Sequence, residues 1–346
     1  MKNNWSEKDA KQFIRKYTSK GYTEDMAYRV YTTQLLGNNP KLVLHGGGNT
    51  SVKTEARDLD SKKYEVLCVK GSGWDMGDIE PEGLPAVKLK PLLSMINKKK
   101  LSDHDMVNFQ KRNLLDTKSP NPSVETFLHA FLPHKFVDHT HADAILDITN
   151  RPNSLELCKR IFGPKVGYVP YIMPGFLLAK KVYETYQKNP DVNCLILLNH
   201  GIFTFSNSAK ESYDLMIKNV TIAESAIKKM KSKKIKQVSP ATKTLRPSEI
   251  APILRGLLTD DNKDDTFIIN FRLNKDIKYF MNGVNIKKYS RRGTVTPDHV
   301  IRIKPYPLVI DLTQKDDLIS FTEKASREVK KYKSKYLSYF KKYSKK

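Results

Sequence analysis

The stretch Val137-Asp138-His139-Thr140-His141-Ala142-Asp143-Ala144 decides the fold prediction, because it combines a strand-like pattern with two histidines one residue apart. Side chains alternate between the two faces of a strand, so His139 and His141 would point to the same side, about 7 Å apart. Two imidazoles on one face can bind a divalent metal. Two ligands do not complete a zinc site, and two polar residues of a half-buried strand are the alternative interpretation. A metal site therefore needs a third ligand from elsewhere.

A carboxylate precedes this stretch on a predicted helix. The segment Pro122–Phe131 predicts a helix that Pro122 opens and Pro133 ends. Glu125 would lie in its first turn and lead toward the paired histidines. His129, one turn later, is expected to be a structural hydrogen-bonding residue rather than a catalytic one.

The candidate third ligand is His200. It follows an apolar strand and precedes Gly201, where the backbone is expected to bend. Turns of this kind are a common position for functional side chains. A histidine that only caps the turn fits the same pattern.

Two glycine loops are candidates for binding an anion. Gly46-Gly47-Gly48-Asn49-Thr50-Ser51 follows a predicted strand, and Gly71-Ser72-Gly73 follows the next one, directly after Lys70. Free backbone N–H groups in such loops can surround a phosphate. Two ordinary glycine turns are the alternative.

Several nucleotide-binding and catalytic motifs are absent from the sequence. The dinucleotide fingerprint needs G-x-G-x-x-G at the start of a helix, whereas the glycine after Gly71-Ser72-Gly73 is Gly77, one position late. The chain also contains no Walker A loop, no cysteine zinc cluster and no G-x-S-x-G elbow. We therefore predict no Rossmann site.

The chain is strongly basic. Lysine and arginine outnumber aspartate and glutamate by 61 to 37, for a net charge of +24, which raises the hypothesis of nucleic-acid binding. Part of the excess lies in the tail from Val329 to Lys346. Apolar residues recur there at helical spacing, which predicts an amphipathic helix whose aromatic stripe packs on the body: Val329, Tyr332, Tyr336, Tyr339, Phe340 and Tyr343. We therefore expect no nucleic-acid partner, with a base-stacking platform as the alternative.

Composition indicates a soluble globular protein. Hydrophobic residues make up 39% and charged residues 28%. No apolar run is long enough to span a bilayer, and the start Met1-Lys2-Asn3-Asn4-Trp5 lacks the apolar core of a signal peptide. Three cysteines, an odd number set in apolar runs, predict reduced core thiols and a cytoplasmic location: Cys68, Cys158 and Cys194.

Apolar periodicity predicts alternating helices and strands. The predicted helices cover Ser6–Gly21, Thr23–Leu36, Leu89–Ile96, Ser154–Ile161, Phe176–Gln187 and Ser206–Lys236. The further predicted strands cover Lys41–His45, Tyr64–Lys70, Val166–Tyr171, Val192–Leu198 and Ile202–Phe205. This interleaving favours an α/β layered domain over residues 1–237.

A linker at Gln237–Pro247 leads into a smaller predicted subdomain. There the pattern predicts a helix over Ser248–Leu258 and strands over Thr266–Arg272, Val300–Lys304 and Leu308–Asp311. Residues 238–346 are therefore predicted to form an α+β extension with a basic terminal helix.

Five motifs together resemble one family. In chain order they are H-G-G-G-N-T-S at His45–Ser51, K-G-S-G at Lys70–Gly73, P-S-V-E at Pro122–Glu125, H-T-H at His139–His141 and N-H-G at Asn199–Gly201. This series resembles the class II aldolase/adducin N-terminal family. The longer strings HGGGNTSVK, VKGSGWDM, FLPHKFVDHTHADA and RRGTVTPDHVIRIKPYPLVI resemble the aldolase half of bifunctional rhamnulose-1-phosphate aldolase/alcohol dehydrogenases. The resemblance covers nearly the whole chain and implies a three-layer α/β/α domain with a central mixed sheet.

The resemblance implies a complete active site. His139, His141 and His200 would be ligands of Zn²⁺, and Glu125 the acid/base group beside it. The phosphate of a sugar phosphate would be bound by the glycine loops and the turn before the glutamate: Gly48, Asn49, Thr50, Ser51, Ser72, Gly73 and Ser123. Zinc would act as a Lewis acid during reversible cleavage of a ketose 1-phosphate to dihydroxyacetone phosphate and an aldehyde. The aldehyde would be L-lactaldehyde if the sugar is rhamnulose.

The sequence departs from the family pattern before the glutamate, where Val124 replaces a second serine. In related small aldolases a tyrosine of a neighbouring subunit protonates the leaving alkoxide. Tyr168 and Tyr171 lie in a suitable region but match no motif. The resemblance further implies a homo-oligomer, a tetramer by family likeness. It also raises a separately encoded short-chain dehydrogenase as a partner.

Two other functions remain open at this stage. A sugar-phosphate epimerase or dehydratase could use the same ligands for a related reaction at an acidic carbon. A non-catalytic scaffold like the adducin head domain is the alternative from another class, although a scaffold would need neither the three histidines nor Glu125.

Overall fold

The structure is a computed structural model that describes residues 1–230, 234–239, 244–259 and 267–344. The chain forms two compact units. The first contains Met1–Lys231 and a later segment, Val295–Arg302, at which the chain returns to it. The second contains Ser232–Thr294 and Ile303–Lys346. The predicted division at residue 237 did not assign Val295–Arg302 to the first unit.

The first unit is built on a seven-stranded sheet. Its strands are β1 (Asn49–Arg57), β2 (Lys63–Val69), β3 (Ala86–Lys88), β4 (Phe136–Thr140), β5 (Gly167–Val169), β6 (Cys194–Leu197) and β7 (Gly201–Ser206). Their order across the sheet is β3-β2-β1-β4-β7-β6-β5. All neighbours are antiparallel except β5 and β6, which are parallel. The predicted mixed sheet is confirmed.

The described α-helices cover both units. They are α1 (Glu7–Thr18), α2 (Glu24–Gly37), α3 (Leu89–Ser94), α4 (Asp103–Arg112), α5 (Thr126–Phe131), α6 (Asp143–Thr149), α7 (Ser154–Phe162), α8 (Phe176–Lys188), α9 (Ala209–Lys229), α10 (Pro247–Leu258), α11 (Lys275–Met281), α12 (Ile286–Tyr289), α13 (Pro297–Val300) and α14 (Leu318–Tyr343). Side-chain caps begin several of them: Ser6 accepts a hydrogen bond from Asp9 N–H, and Thr23 accepts one from Met26 N–H.

Alternation along the strands divides the core into two faces. On β6, Leu195 and Leu197 pack with residues of α3, α5 and α8, whereas Cys194 and Ile196 pack with residues of α6, α7 and α9. A third cluster joins α1 and α2 to β1 and β2. Helices therefore cover both faces of the sheet, which confirms the predicted three-layer arrangement.

Three predicted elements around the site differ from the structure. Lys41–His45 forms turns instead of a strand, because the N–H groups of Leu42 and Val43 donate to the carbonyl of Asn39. The side chains of Leu42 and Val43 are buried in the core. The first glycine loop therefore precedes a strand, β1, rather than following one. The helix predicted from Pro122 begins only at Thr126, and β4 ends at Thr140, one residue before His141.

The predicted long helix over Ser206–Lys236 is shorter in the structure. It runs from Ala209 to Lys229, and residues 231–233 of the predicted span lie outside the described residues. The three cysteines are buried and unpaired, as predicted. None of the helices in the described ranges is both long and apolar enough to cross a bilayer.

The regular elements described in the second unit are the helices α10, α11, α12 and α14. The predicted helix is confirmed as α10. The predicted strands at residues 267–272 and Leu308–Asp311 have no regular structure, and Val300–Lys304 forms a helix end and a turn, so these predictions were wrong. Short apolar runs do not distinguish strands from other segments that bury apolar side chains. Residue 266 is outside the described part.

The terminal helix α14 begins earlier than predicted, at Leu318, and its buried residues are Phe321, Ala325 and Val329. The aromatic residues beyond Val329 are less covered. Tyr339, Phe340 and Tyr343 are about half exposed, so the prediction that the whole stripe packs on the body was wrong.

Candidate metal centre

Three histidines from distant parts of the sequence converge in the first unit. His139 lies on β4, His141 follows it, and His200 lies in the turn between β6 and β7. One nitrogen from each imidazole lies within 4.8 Å of the other two, and all three residues are buried. Antiparallel pairing of β4 with β7 causes this convergence, because it places Thr140 opposite Ile202 and hence both histidine segments at one end of the sheet.

The ring of His139 is held from two sides. Its Nδ1 lies 3.1 Å from the carbonyl oxygen of Ile202, to which it can donate, and its ring stacks on Phe203 at 4.0 Å between centroids. Its Nε2 lies 3.0 Å from Nε2 of His141. A donating Nδ1–H leaves the lone pair on Nε2, which is the nitrogen that faces the other ligands.

His141 lies after the strand instead of within it, but its imidazole still meets His139. Its Nδ1 lies 2.5 Å from Oδ1 of Asp298, a buried residue of α13. An ionised carboxylate can accept hydrogen bonds but cannot donate them. The proton in this contact therefore lies on Nδ1 of His141. Nε2 of His141 is then free to bind a metal.

His200 is positioned by a tight turn. Asn199 adopts a left-handed conformation with φ of 60°, and the amide N–H of His200 donates to the carbonyl of Leu197. Gly201 is required here, because a Cβ would lie 2.4 Å from the carbonyl oxygen of Thr140. Neither Nδ1 of His200 nor Oε1 of Glu125 has a hydrogen-bond partner among the described residues, although both atoms are buried.

Glu125 lies against the histidines at the start of α5. Its Oε2 is 3.4 Å from Nε2 of His139, and its Oε1 is 3.4 Å from Nε2 of His200. The amide of Asn49 donates to Oε2 at 2.7 Å. His129 lies 2.5 Å from Oδ1 of Asn49 and 2.8 Å from Oγ of Ser51, so it is a hydrogen-bonding residue as predicted.

These residues fit a divalent metal. Burial lowers the pKa of His139 well below its usual value. Burial also lowers the pKa of His200, although the nearby negative charge of Glu125 acts to raise it. Neutral imidazoles are the form that binds metal. Two ligand nitrogens of a tetrahedral zinc lie roughly 3.3 Å apart, close to the observed His139–His141 separation. Three histidines would leave a position open, as catalytic zinc sites do.

The residues predicted to bind phosphate divide into two groups. Asn49, Ser123 and Glu125 meet, since the Asn49 amide also donates to Oγ of Ser123 at 3.1 Å. Ser72 and Gly73 lie in an adjacent exposed loop, which is tied to this group by the N–H of Ser123 donating to the carbonyl of Lys70. Gly48 directly precedes β1 and has a φ of 60°.

Thr50 and Ser51 are not brought to this group. Both are fully buried on β1, where Thr50 Oγ1 hydrogen-bonds to Thr33 and Ser51 Oγ to His129. Their hydroxyls are therefore already paired and turned into the protein. The expectation that they line a phosphate loop came from the family resemblance, and the structure places these two residues inside β1.

Two cations lie along the first glycine loop. Nζ of Lys70 donates to the carbonyl of Gly46 at 3.2 Å, and Nε of Arg302 donates to the carbonyl of His45 at 2.7 Å. Burial lowers the pKa of Lys70 to about 8. Both cations add positive potential beside the loop.

Sequence reasoning missed Asp298. It lies 157 residues after His141 in the chain, within a string that matched the family without suggesting a role. The only local signal is Thr296-Pro297-Asp298, a cap and proline that begin a helix. Of the two tyrosines considered for proton transfer, Tyr168 donates its hydroxyl to the carbonyls of Cys158 and Gly163, and Tyr171 is exposed.

Comparison with protein families gives two matches. The model for the class II aldolase and adducin N-terminal domain matches residues 29–227, and the model for a class II aldolase second domain matches residues 246–346.

Individual proteins are also similar to this chain. The chain is 32% identical over 319 residues to an uncharacterized oxidoreductase, YuxG, of Bacillus subtilis, a match that covers 90% of this chain and 46% of that protein. The chain thus spans about half the length of this relative. The N-terminal class II aldolase domain of a protein from Thermoplasma acidophilum is 40% identical with a TM-score of 0.58, over 66% of this chain and 99% of that one. An L-fuculose-1-phosphate aldolase from Thermus thermophilus is 18% identical with a TM-score of 0.38, over 58% and 95%.

Proposed function

Because the chain belongs to the class II aldolase and adducin N-terminal domain family, we propose that it is a zinc-dependent aldolase that cleaves a ketose 1-phosphate reversibly. The observation that carries the proposal is the meeting of His139, His141 and His200 with the carboxylate of Glu125. The products would be dihydroxyacetone phosphate and an aldehyde, with a substrate similar to rhamnulose 1-phosphate.

The three histidines would hold the metal through the nitrogens that face one another. A bound zinc ion supplies a Lewis acid that stabilises negative charge developing on the substrate oxygens. The protein contributes the orientation of the rings, through the Ile202 carbonyl behind His139 and the Phe203 ring beneath it. Burial of the site also excludes water, which strengthens electrostatic interactions there.

Glu125 would transfer the proton through one particular oxygen. The Asn49 amide donates to Oε2, whereas Oε1 has no hydrogen-bond partner in the described structure and lies 3.4 Å from Nε2 of His200. In cleavage, the C3–C4 bond breaks and its electron pair stays with C3. The C4 hydroxyl loses its proton to solvent or a second base as the aldehyde forms, and Glu125 protonates C3. In condensation, Oε1 of Glu125 would remove the same proton.

The substrate phosphate would bind beside Glu125. Gly48, Asn49, Ser72, Gly73 and Ser123 are the proposed contacts, with Lys70 and Arg302 adding positive charge. Ser72 is exposed and its hydroxyl is available to an anion. Val124 is about half exposed and offers no hydrogen bond, so backbone groups would replace a serine contact at this position.

An epimerase or dehydratase would use the same metal ligands, and a non-catalytic scaffold would use none of them. Retention of three histidines with converging nitrogens and an unpaired carboxylate oxygen favours an enzyme over a scaffold. A homo-oligomer, such as a tetramer, and a separate dehydrogenase partner stay predictions. Light scattering during size-exclusion chromatography tests the first.

A substrate screen tests the proposed function. Zinc-loaded protein is incubated with a set of ketose 1-phosphates, and release of dihydroxyacetone phosphate is followed with a coupled dehydrogenase. We expect release from at least one of them and none from the corresponding free ketose at equal concentration. Conversion of a ketose phosphate to an isomer or a dehydrated product, without dihydroxyacetone phosphate, would replace the aldolase with another reaction of this site.

A further inference from the structure

Asp298 is the one buried carboxylate described that bonds directly to a candidate metal ligand. Its side chain is 2% exposed, and its Oδ1 lies 2.5 Å from Nδ1 of His141. It reaches the site because Val295–Arg302 belongs to the first unit, where the Asn150 amide donates to the carbonyl of Val295 at 3.0 Å.

The second oxygen of Asp298 holds the segment that leads into the first glycine loop. The backbone N–H of Leu44 donates to Oδ2 at 2.9 Å. The loop in turn leaves room for the carboxylate, because a Cβ added to Gly47 would lie 1.7 Å from Oδ1. One carboxylate thus joins a candidate metal ligand to the loop that precedes β1.

This geometry has a clear chemical consequence for His141. A carboxylate that accepts Nδ1–H fixes the tautomer with its lone pair on Nε2, fixes the plane of the ring and increases the basicity of Nε2. His139 has only the weaker carbonyl acceptor of Ile202, and Nδ1 of His200 has no acceptor among the described residues. Of the three rings, that of His141 therefore has the strongest acceptor behind it.

We propose that Asp298 is a positioning residue of the metal centre, which orients His141 for metal binding and connects it to the glycine loop through Leu44. The proposal rests on the proposed function only in requiring that the three histidines bind a metal. It assigns a role in that site to the segment Val295–Arg302. More than sixty residues separate Lys229, the end of α9, from the start of this segment.

Two variants remove the contact in different ways. Asp298→Asn keeps the shape but has one acceptor oxygen, so either Nδ1–H of His141 or the N–H of Leu44 would face an NH₂ group. Gly47→Ala keeps the carboxylate but pushes it away from its place. Thr296→Val is the matched control, because it removes the cap hydroxyl of the same helix, which accepts from His299 N–H, and leaves the carboxylate in place.

Metal binding by the full chain tests the proposal. After removal of metal with a chelator, the zinc affinity of each protein is measured by competition with a chromophoric chelator, and the visible spectrum is recorded with Co²⁺. We expect Asp298→Asn to bind zinc about 10- to 100-fold more weakly with an altered Co²⁺ spectrum. Gly47→Ala should change both readouts in the same direction, and Thr296→Val should match the parent protein.

The outcomes separate this inference from the proposed function. A parent protein that binds no metal overturns both. A parent that binds metal, with Asp298→Asn and Gly47→Ala equal to it in affinity and spectrum, overturns the role of Asp298 alone. Equal weakening by Thr296→Val would also overturn it, because the effect would then come from loosening the segment. If Asp298→Asn does not fold, the comparison of Gly47→Ala with Thr296→Val decides.

Discussion

The side-chain amide of Asn49 donates a 2.7 Å hydrogen bond to Oε2 of Glu125, across 76 residues of sequence. The other side-chain atom of Asn49, Oδ1, lies 2.5 Å from Nε2 of His129, whose Nδ1 meets the Ser51 hydroxyl. A series of buried hydrogen bonds thus runs from β1 to the carboxylate beside the histidines. Its direction is fixed, because the carboxylate can only accept and the amide must therefore donate.

Asn49→Ala should lower turnover while leaving the metal in place. Without the amide, Oε2 of Glu125 loses its donor and the carboxylate can rotate away from the position in which Oε1 faces the substrate. We expect a fall of about 10-fold or more in kcat, with the same zinc content by elemental analysis. An unchanged kcat accompanied by a raised KM would instead mean that Asn49 acts only in phosphate binding.

Glu125→Gln should separate metal binding from proton transfer. The amide keeps the size of the side chain and cannot take up or release the proton, so we expect activity to fall about 10²- to 10⁴-fold. We expect zinc affinity to change little, because the proposed function places Glu125 beside the metal and not among its ligands. Initial rates and zinc content of the same preparation check this. Full activity in the variant would mean that another group transfers the proton.

Arg29→Met should strongly destabilise the first unit. The Arg29 guanidinium and the Asp138 carboxylate form a fully buried ion pair, and Ser212 donates to the second oxygen of Asp138 at 2.6 Å. Removing one partner leaves a buried charge, which costs about 3–5 kcal/mol. Urea unfolding of parent and variant measures the loss. Lys16→Met is the control, because its pair with Glu80 is exposed and is worth about 1 kcal/mol or less.

A loss below about 1 kcal/mol in Arg29→Met would show that the buried pair contributes no more than a surface pair does. The double variant Arg29→Met with Asp138→Leu should recover part of the stability, because it leaves no unpaired charge.

Lys53 should make stability depend on pH between about 7 and 10. Its ammonium donates to the carbonyls of His129, Leu132 and His134, and burial lowers its pKa to about 7. In the unfolded chain the pKa is about 10.4. Between these values the unfolded chain binds more protons than the folded one, so the free energy of unfolding rises with pH. Below about pH 7 both states are protonated, and the contribution is constant.

The measurement compares urea unfolding of the parent and Lys53→Met at several pH values. The variant should be less stable throughout, because the carbonyls that Lys53 contacts lose its N–H donors. Its stability should also rise less steeply with pH than that of the parent, by up to about 1.4 kcal/mol per pH unit. Parallel profiles over this range would show that the pKa of Lys53 is not lowered.

Sequence reasoning predicted the parts of the site that depend on local spacing. Residue type and spacing drew attention to the histidine pair on a predicted strand, to Glu125 in the first turn of a predicted helix and to His200 before Gly201. In the structure Glu125 precedes α5 and His141 follows β4. The convergence of His200 with the pair needed the resemblance to a family, because it depends on β4 pairing with β7, and apolar strands do not specify their partners. Asp298 depends on a return of the chain that no local pattern indicates.

Errors in the fold prediction have a common physical origin. Leu42 and Val43 are apolar and adjacent, and this pattern is shared by a strand and by a turn whose side chains enter the core. The same ambiguity produced false strands after residue 266. Misplacing the strand before the glycine loop also put Thr50 and Ser51 in a loop, whereas they lie inside β1 and their hydroxyls pair with Thr33 and His129.

Metal content tests the central claim most directly, namely that His139, His141 and His200 bind a single ion together. The parent protein and His200→Ala are purified alongside each other, dialysed against the same zinc buffer and analysed for bound metal. We predict about one zinc per chain in the parent, removed by a chelator and restored by zinc, and a large loss of binding in His200→Ala. A parent without bound zinc, or a variant that binds it as tightly as the parent, would contradict the account.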